Sequence, residues 1–126
     1  MYPKHNNKDG SFQELAHASD VKFGQLSYLT VNPQCIRGGH YHTRKEEWFC
    51  CVRGKCTMVL ADVKTKKKRV VSLNSSKKKF VYVKPYEKHT VLNLGGSEPA
   101  ELLVIISEEY DESNPDTFKG GINGEA

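Results

Sequence analysis

The 126-residue chain is predicted to fold as one all-β domain, an antiparallel barrel or jelly roll, on three observations. Short strand-like runs recur at close spacing. Turn signals separate them. Nowhere do apolar residues recur at the three-and-four spacing of a helix over two or more turns. A chain of this length buries roughly two thirds of its unfolded surface, enough for one core and too little for two.

The runs follow one another between punctuation marks. Residues 24–31 end at Asn32-Pro33, and Gly38-Gly39 marks a further turn. Residues 47–53 end at Arg53-Gly54-Lys55, which leads into 56–63. After a basic stretch come 69–73, ended by Asn74-Ser75-Ser76, and then 80–83, ended by Pro85-Tyr86-Glu87. Residues 90–94 stop at Gly95-Gly96-Ser97, and 101–107 form the last run. Proline withdraws a ladder donor and glycine accepts turn conformations, so these residues delimit strands for a stated reason. The first ten residues and the last ten or so read as loose ends.

Composition narrows the function classes. Hydrophobic residues at 37% and charged residues at 27% describe a globular chain. No apolar run approaches the roughly 18 residues of a membrane span, so no membrane partner is expected. The polar start Met1-Tyr2-Pro3-Lys4-His5 has no signal-peptide core, which makes the cytoplasm the expected address. Cys35, Cys50, Cys51 and Cys56 are then expected to be reduced. The net charge of +4 is concentrated: eight Lys or Arg against one acid between residues 62 and 79 sum to +7, leaving −3 elsewhere. Lys66-Lys67-Lys68-Arg69 and Lys77-Lys78-Lys79 contain no interleaved aromatic residue. They are expected to be solvated loops or a guarded sheet edge, with no nucleic-acid partner.

The densest group of donor side chains is Gly39-His40-Tyr41-His42-Thr43-Arg44-Lys45-Glu46-Glu47-Trp48. Histidines two apart on a strand share a face, so His40 and His42 can reach one point. Glu46 or Glu47, at the start of the next strand, can add an oxygen. His89, four residues after Pro85, opens another strand. Three imidazoles and a carboxylate suit a divalent metal such as zinc, iron, nickel or manganese. Adjacent Cys50 and Cys51 point to opposite faces and are poor partners in a thiolate site.

Two stretches resemble the paired motifs of the cupins. Gly39-His40-Tyr41-His42, four residues, Glu47, six residues and Gly54 resemble the first; Pro85-x-x-x-His89-x-x-x-Asn93 resembles the second. Spacing back from Gly54 selects Glu47 over Glu46. The glycine usual between the proline and histidine of the second motif is absent, and Tyr86-Glu87-Lys88 stands there. The resemblance implies a small β-barrel with His40, His42, Glu47 and His89 on one metal, most readily zinc.

A closer resemblance rests on Asp9-Gly10-Ser11-Phe12-Gln13-Glu14-Leu15, Gly24-Gln25-Leu26-Ser27-Tyr28-Leu29-Thr30, Arg37-Gly38-Gly39-His40-Tyr41-His42 and Asn114-Pro115-Asp116-Thr117. These look like the C-terminal zinc-binding cupin domain of the CapF family of capsular-polysaccharide enzymes. The implied layout is a flexible 1–8, a cupin domain 9–117 and a flexible tail 118–126. The implied activity is C3 epimerisation of UDP-2-acetamido-2,6-dideoxy-hexos-4-ulose, a nucleotide-linked 4-keto-6-deoxy sugar, in polysaccharide or glycan precursor synthesis. No dinucleotide fingerprint is present, so no nicotinamide cofactor is expected, and a separate reductase would act downstream. A homodimer is expected by analogy. The competing expectations are a metal-dependent cupin oxygenase and a non-catalytic sugar-binding cupin.

Epimerisation needs a proton acceptor on one face and a donor on the other. Tyr82 and Tyr28 are the candidate acid–base residues, whereas Tyr41 alternates with the histidines and is expected to point away. Arg37 and Lys45 are the candidate ligands of the substrate diphosphate, Arg37 through a bidentate fork.

Overall fold

A computed structural model describes residues 2–119. Among these residues there is no helix, and eleven strands pair antiparallel throughout. In chain order they are β1 (Lys4–Asn7), β2 (Gly10–Gln13), β3 (Gln25–Val31), β4 (Cys35–Tyr41), β5 (Glu47–Arg53) and β6 (Lys55–Asp62). There follow β7 (Lys68–Asn74), β8 (Val81–Val83), β9 (Glu87–Asn93), β10 (Ala100–Ile106) and β11 (Phe118–Lys119). One sheet has the order β3-β10-β5-β8, the other β11-β4-β9-β6-β7, and β1-β2 is a separate exposed hairpin. The all-β prediction agrees with this architecture.

The two sheets enclose one core. Val31, Phe49, Cys51, Val81, Val83, Leu102 and Val104 come from the four-stranded sheet, and Cys56, Met58, Leu60, Leu73 and Val91 from the five-stranded one. Period-two alternation produces this set: β9 reads buried at Glu87, His89, Val91 and Asn93 and half-buried between them. Met58, Leu60 and Leu102 are fully buried, and each contributes about 1.5–3 kcal/mol through the apolar surface it removes from water. β5 is buried on both faces from Glu47 to Cys51. Its outward Trp48 packs against Tyr82, ring centroids 5.4 Å apart, and lines a cavity with Leu15, Ala16 and Val21.

The structure adds strands where the sequence signals turns or loose ends. The Gly38-Gly39 pair lies inside β4, where it forms a bulge in the pairing with β9 rather than a turn. Gly38 has φ +106°, and a Cβ there would stand 2.7 Å from the His89 carbonyl oxygen. Only glycine lets the two backbones approach so closely. At the N-terminus, Lys4–Asn7 pair with Gly10–Gln13. Phe118 and Lys119, assigned to the tail by sequence, pair with Tyr41 and His40; the tail's remaining residues, 120–126, lie outside the described residues. Lys68 and Arg69 belong to β7, an edge strand, where charge discourages edge-to-edge pairing. Among the described residues no helix is long and apolar enough to cross a membrane.

Candidate metal centre

Glu47 opens β5 with its side chain on the interior face, in step with Phe49 and Cys51. Glu46 points the other way, to Lys22 Nζ at 2.7 Å and the Tyr82 hydroxyl at 2.8 Å. His42 lies just beyond the end of β4 and His89 within β9. Their Nε2 atoms stand 2.8 and 3.1 Å from the same atom, Glu47 Oε1. The three donors lie within 4.8 Å of one another. Glu47 and His89 are about 95% buried.

The outward nitrogen of each ring explains what the inward one offers. His42 Nδ1 donates to the Asp116 carbonyl at 2.6 Å, and His89 Nδ1 donates to the Glu87 carbonyl at 3.2 Å. A carbonyl can only accept, so both Nδ1 atoms carry their protons. Each Nε2 then presents a lone pair toward a carboxylate oxygen unless its ring is an imidazolium. Glu47 Oε1 is fully buried and has no hydrogen-bond partner of acceptable geometry. Imidazole lone pairs converging on a buried carboxylate oxygen are costly, and either a proton on His42 Nε2 or a cation between the three donors relieves them. The donor set of two imidazoles and one carboxylate fits a divalent cation.

Electrostatics follow the same geometry. Burial works to lower the His42 pKa, but the Glu47 carboxylate outweighs it and holds His42 above its ordinary value. Burial works to raise the Glu47 pKa, and contact with His42 and the charge of His89 keep it low instead. His89 is held below the ordinary imidazole value by burial.

His40 lies outside the three-donor group. The β4 bulge inserts Gly39 as an extra residue, so Arg37 pairs with Val91 while His40 pairs with His89. Both side chains thereby occupy the interior face, an odd and an even position brought together by the bulge. His40 is half-buried, and burial together with the charges of His89 and His42 lowers its pKa. Arg37 is exposed at the rim.

The other expected residues are placed elsewhere. Lys45 is 4% exposed, its ammonium donating to the Pro115 carbonyl at 3.0 Å and standing 5.4 Å from the Tyr110 ring centroid. Tyr82 pairs with Trp48 across β8 and β5, on the face opposite Glu47. Burial and the bond to Glu46 push its phenol up to about 12. Tyr28 also lies on that outer face, opposite Leu103, and its hydroxyl donates to Glu101. Tyr41 turns from the histidines and stacks on Phe118.

Two residues of this neighbourhood escape sequence reasoning. Lys119 pairs with His40 and so joins the interior face. Asp116 is buried against the loop that carries His42. The Asn114-Pro115-Asp116-Thr117 motif is the signal that marks Asp116, although the motif by itself assigns it no task.

Comparison with known proteins yields consistent neighbours. The family described as the polysaccharide biosynthesis C-terminal domain matches residues 5–118. A UDP-2-acetamido-2,6-beta-L-arabino-hexul-4-ose reductase of Pseudomonas aeruginosa is 30% identical over 116 residues. The match spans 92% of this chain but only 30% of that protein. The capsular polysaccharide assembling protein CapF of Staphylococcus aureus superposes with a TM-score of 0.73 at 24% identity, over 94% of this chain and 34% of that one. ChmJ, a 3'-monoepimerase of Streptomyces bikiniensis, superposes with a TM-score of 0.80 at 18% identity, over 95% of this chain and 67% of that one. At these identities the superpositions establish a shared cupin-like fold.

Proposed function

The chain belongs to the polysaccharide biosynthesis C-terminal domain family, and on that premise we propose that it is a metal-binding epimerase of a nucleotide-linked 4-keto-6-deoxy sugar. The substrate in this proposal is UDP-2-acetamido-2,6-dideoxy-hexos-4-ulose, inverted at C3. The observation that carries the proposal is a buried three-donor cluster on the same interior face as His40, Arg37 and Lys119. The reductase relative is named for a UDP-linked 2-acetamido-hexul-4-ose, which supports the substrate class, and ChmJ is named a 3'-monoepimerase, which supports the reaction type.

His42, Glu47 and His89 would hold the cation, with zinc well suited to the donor set. Such a cation supplies Lewis-acid polarisation of a carbonyl or a structural tie. His40 was expected as a fourth ligand from spacing. Its position beside the group and outside it favours a different role, that of proton acceptor for the carbon next to the ketone. Removal of that proton leaves an enolate, which takes a proton from solvent on the opposite side to invert the carbon. Arg37 and Lys119 flank the face with positive charge and suit a diphosphate, Arg37 through two parallel hydrogen bonds. The outer-face positions of Tyr82 and Tyr28 remove the support for either as the acid. Homodimeric assembly in the cytoplasm and a separate downstream reductase belong to the same proposal.

The test is incubation of metal-loaded protein with the UDP-linked 4-keto sugar in heavy water. Deuterium should enter at C3 without nicotinamide cofactor, and exchange should fall in His40→Gln. A folded protein that binds the sugar but leaves C3 unlabelled would refute the epimerase assignment and leave a binding module.

A further inference from the structure

Asp116 is 3% exposed, as deeply buried as Glu47. Its carboxylate accepts hydrogen bonds from three successive backbone amides, Thr43 at 2.9 Å, Arg44 at 3.0 Å and Lys45 at 3.1 Å. The Thr43 hydroxyl donates to the same group. The Asp116 carbonyl meanwhile accepts from His42 Nδ1 at 2.6 Å. One residue therefore holds the His42 ring and the three residues that follow it.

The chain arranges this by local strain and long-range pairing. Asp116 has φ +52°, a left-handed conformation that aspartate tolerates better than most side chains. Its neighbours reinforce the grip: Lys45 Nζ reaches the Pro115 carbonyl, and Arg44 reaches the Asn114 carbonyl at 3.1 Å. Successive amides converging on a carboxylate form an anion nest with charge-assisted hydrogen bonds. The segment after β4 turns His42 toward Glu47 outside the sheet ladder, tied on its other side by the Tyr86 amide, which donates to the His42 carbonyl at 2.6 Å. A ligand histidine whose Nδ1–H is fixed by an acceptor offers Nε2 in a defined direction.

We infer that Asp116 is a positioning residue of the metal centre. Its carboxylate sets the loop 43–45, and its carbonyl holds His42 with Nδ1 protonated and Nε2 aimed at the cation. This inference rests on the metal-centre proposal and goes beyond it by assigning the outer support.

The experiment uses the full chain and Zn²⁺ as the probe. Competition with a chromophoric chelator measures Zn²⁺ affinity for wild type, Asp116→Ala and Asp116→Asn, and each is melted to verify folding. Asp116→Ala keeps the carbonyl that meets His42 but releases the 43–45 amides that fix its position, so affinity is expected to fall by about 10-fold, the low end for a disturbed outer partner, and by less in Asp116→Asn, which keeps one acceptor. In zinc-loaded wild type, nitrogen–proton NMR of the imidazoles should show His42 protonated at Nδ1. Zinc affinity unchanged in a folded Asp116→Ala overturns the inference while leaving the metal centre standing. A His42 metallated through Nδ1 in wild type overturns it even where neither variant folds. Wild type that binds no Zn²⁺ refutes the metal centre and the role of Asp116 together.

Discussion

Substituting glutamine for each of two adjacent glutamates separates the interior face from the exterior one. Glu47→Gln removes the single carboxylate from a site whose other two donors are imidazoles. Loss of a mere outer partner of a ligand costs about 10–100-fold in metal affinity, so loss of the anionic ligand itself should cost at least about 100-fold, or about 2.7 kcal/mol. The metal-free fold should survive. A glutamine amide can donate to one imidazole Nε2, and an imidazole can shed its proton when the carboxylate is gone, so no uncompensated buried charge is left. Glu46→Gln touches only Lys22 and the Tyr82 hydroxyl on the outer face. Lys22 is 71% exposed, so that pair is worth about 0–1 kcal/mol and bears on no donor of the cluster. The assay is competitive Zn²⁺ titration beside thermal melts of all three proteins. Equal retention of zinc in both variants, or loss confined to Glu46→Gln, would refute the assignment of the interior face.

Three further outcomes follow from the same structure. Leu60, fully buried and paired with His89 across β6 and β9, should cost about 2–5 kcal/mol when cut to alanine. At roughly 3–5 °C per kcal/mol for a domain of this size, the melting temperature should fall by about 6–25 °C, and a shift under about 3 °C would contradict the packing described. Tyr82→Phe should leave C3 proton exchange within about threefold of wild type, because the hydroxyl lies on the outer face with Glu46; a tenfold or greater loss would return Tyr82 to the reaction. Neutralising Lys66, Lys67 and Lys68 should change nothing in a nucleic-acid binding assay. Wild type should already fail to bind DNA or RNA at micromolar concentration in physiological salt, and binding that the substitution abolishes would reverse that expectation.

Local periodicity made much of this protein legible from its residues. The runs at 24–31, 47–53, 56–63, 69–73, 80–83, 90–94 and 101–107 all fall on observed strands, within about three residues at either end. Side-chain direction alternates with every residue, so Glu46 and Glu47 had to face opposite ways, as did Cys50 and Cys51. Such statements need only neighbours in the chain. Which of the two faces is interior needs the second sheet, and that is why Tyr82 and Tyr28 looked available for catalysis until their strands were paired. The glycine pair at 38 and 39 reads as a turn because its conformational freedom is visible and its partner is not. Only the approach of the β9 backbone, 2.7 Å from a Cβ placed on Gly38, makes it a bulge within a strand. That bulge brings His40 onto the interior face beside the donor cluster. Lys45 carries no mark of burial in its own neighbourhood; Pro115 and Tyr110 bury it from some seventy positions away. Asp116 reaches the His42 loop across a comparable separation. Contacts at such distances leave no period to read, because they depend on how whole sheets fold over one another, and that was decided by the tertiary structure alone.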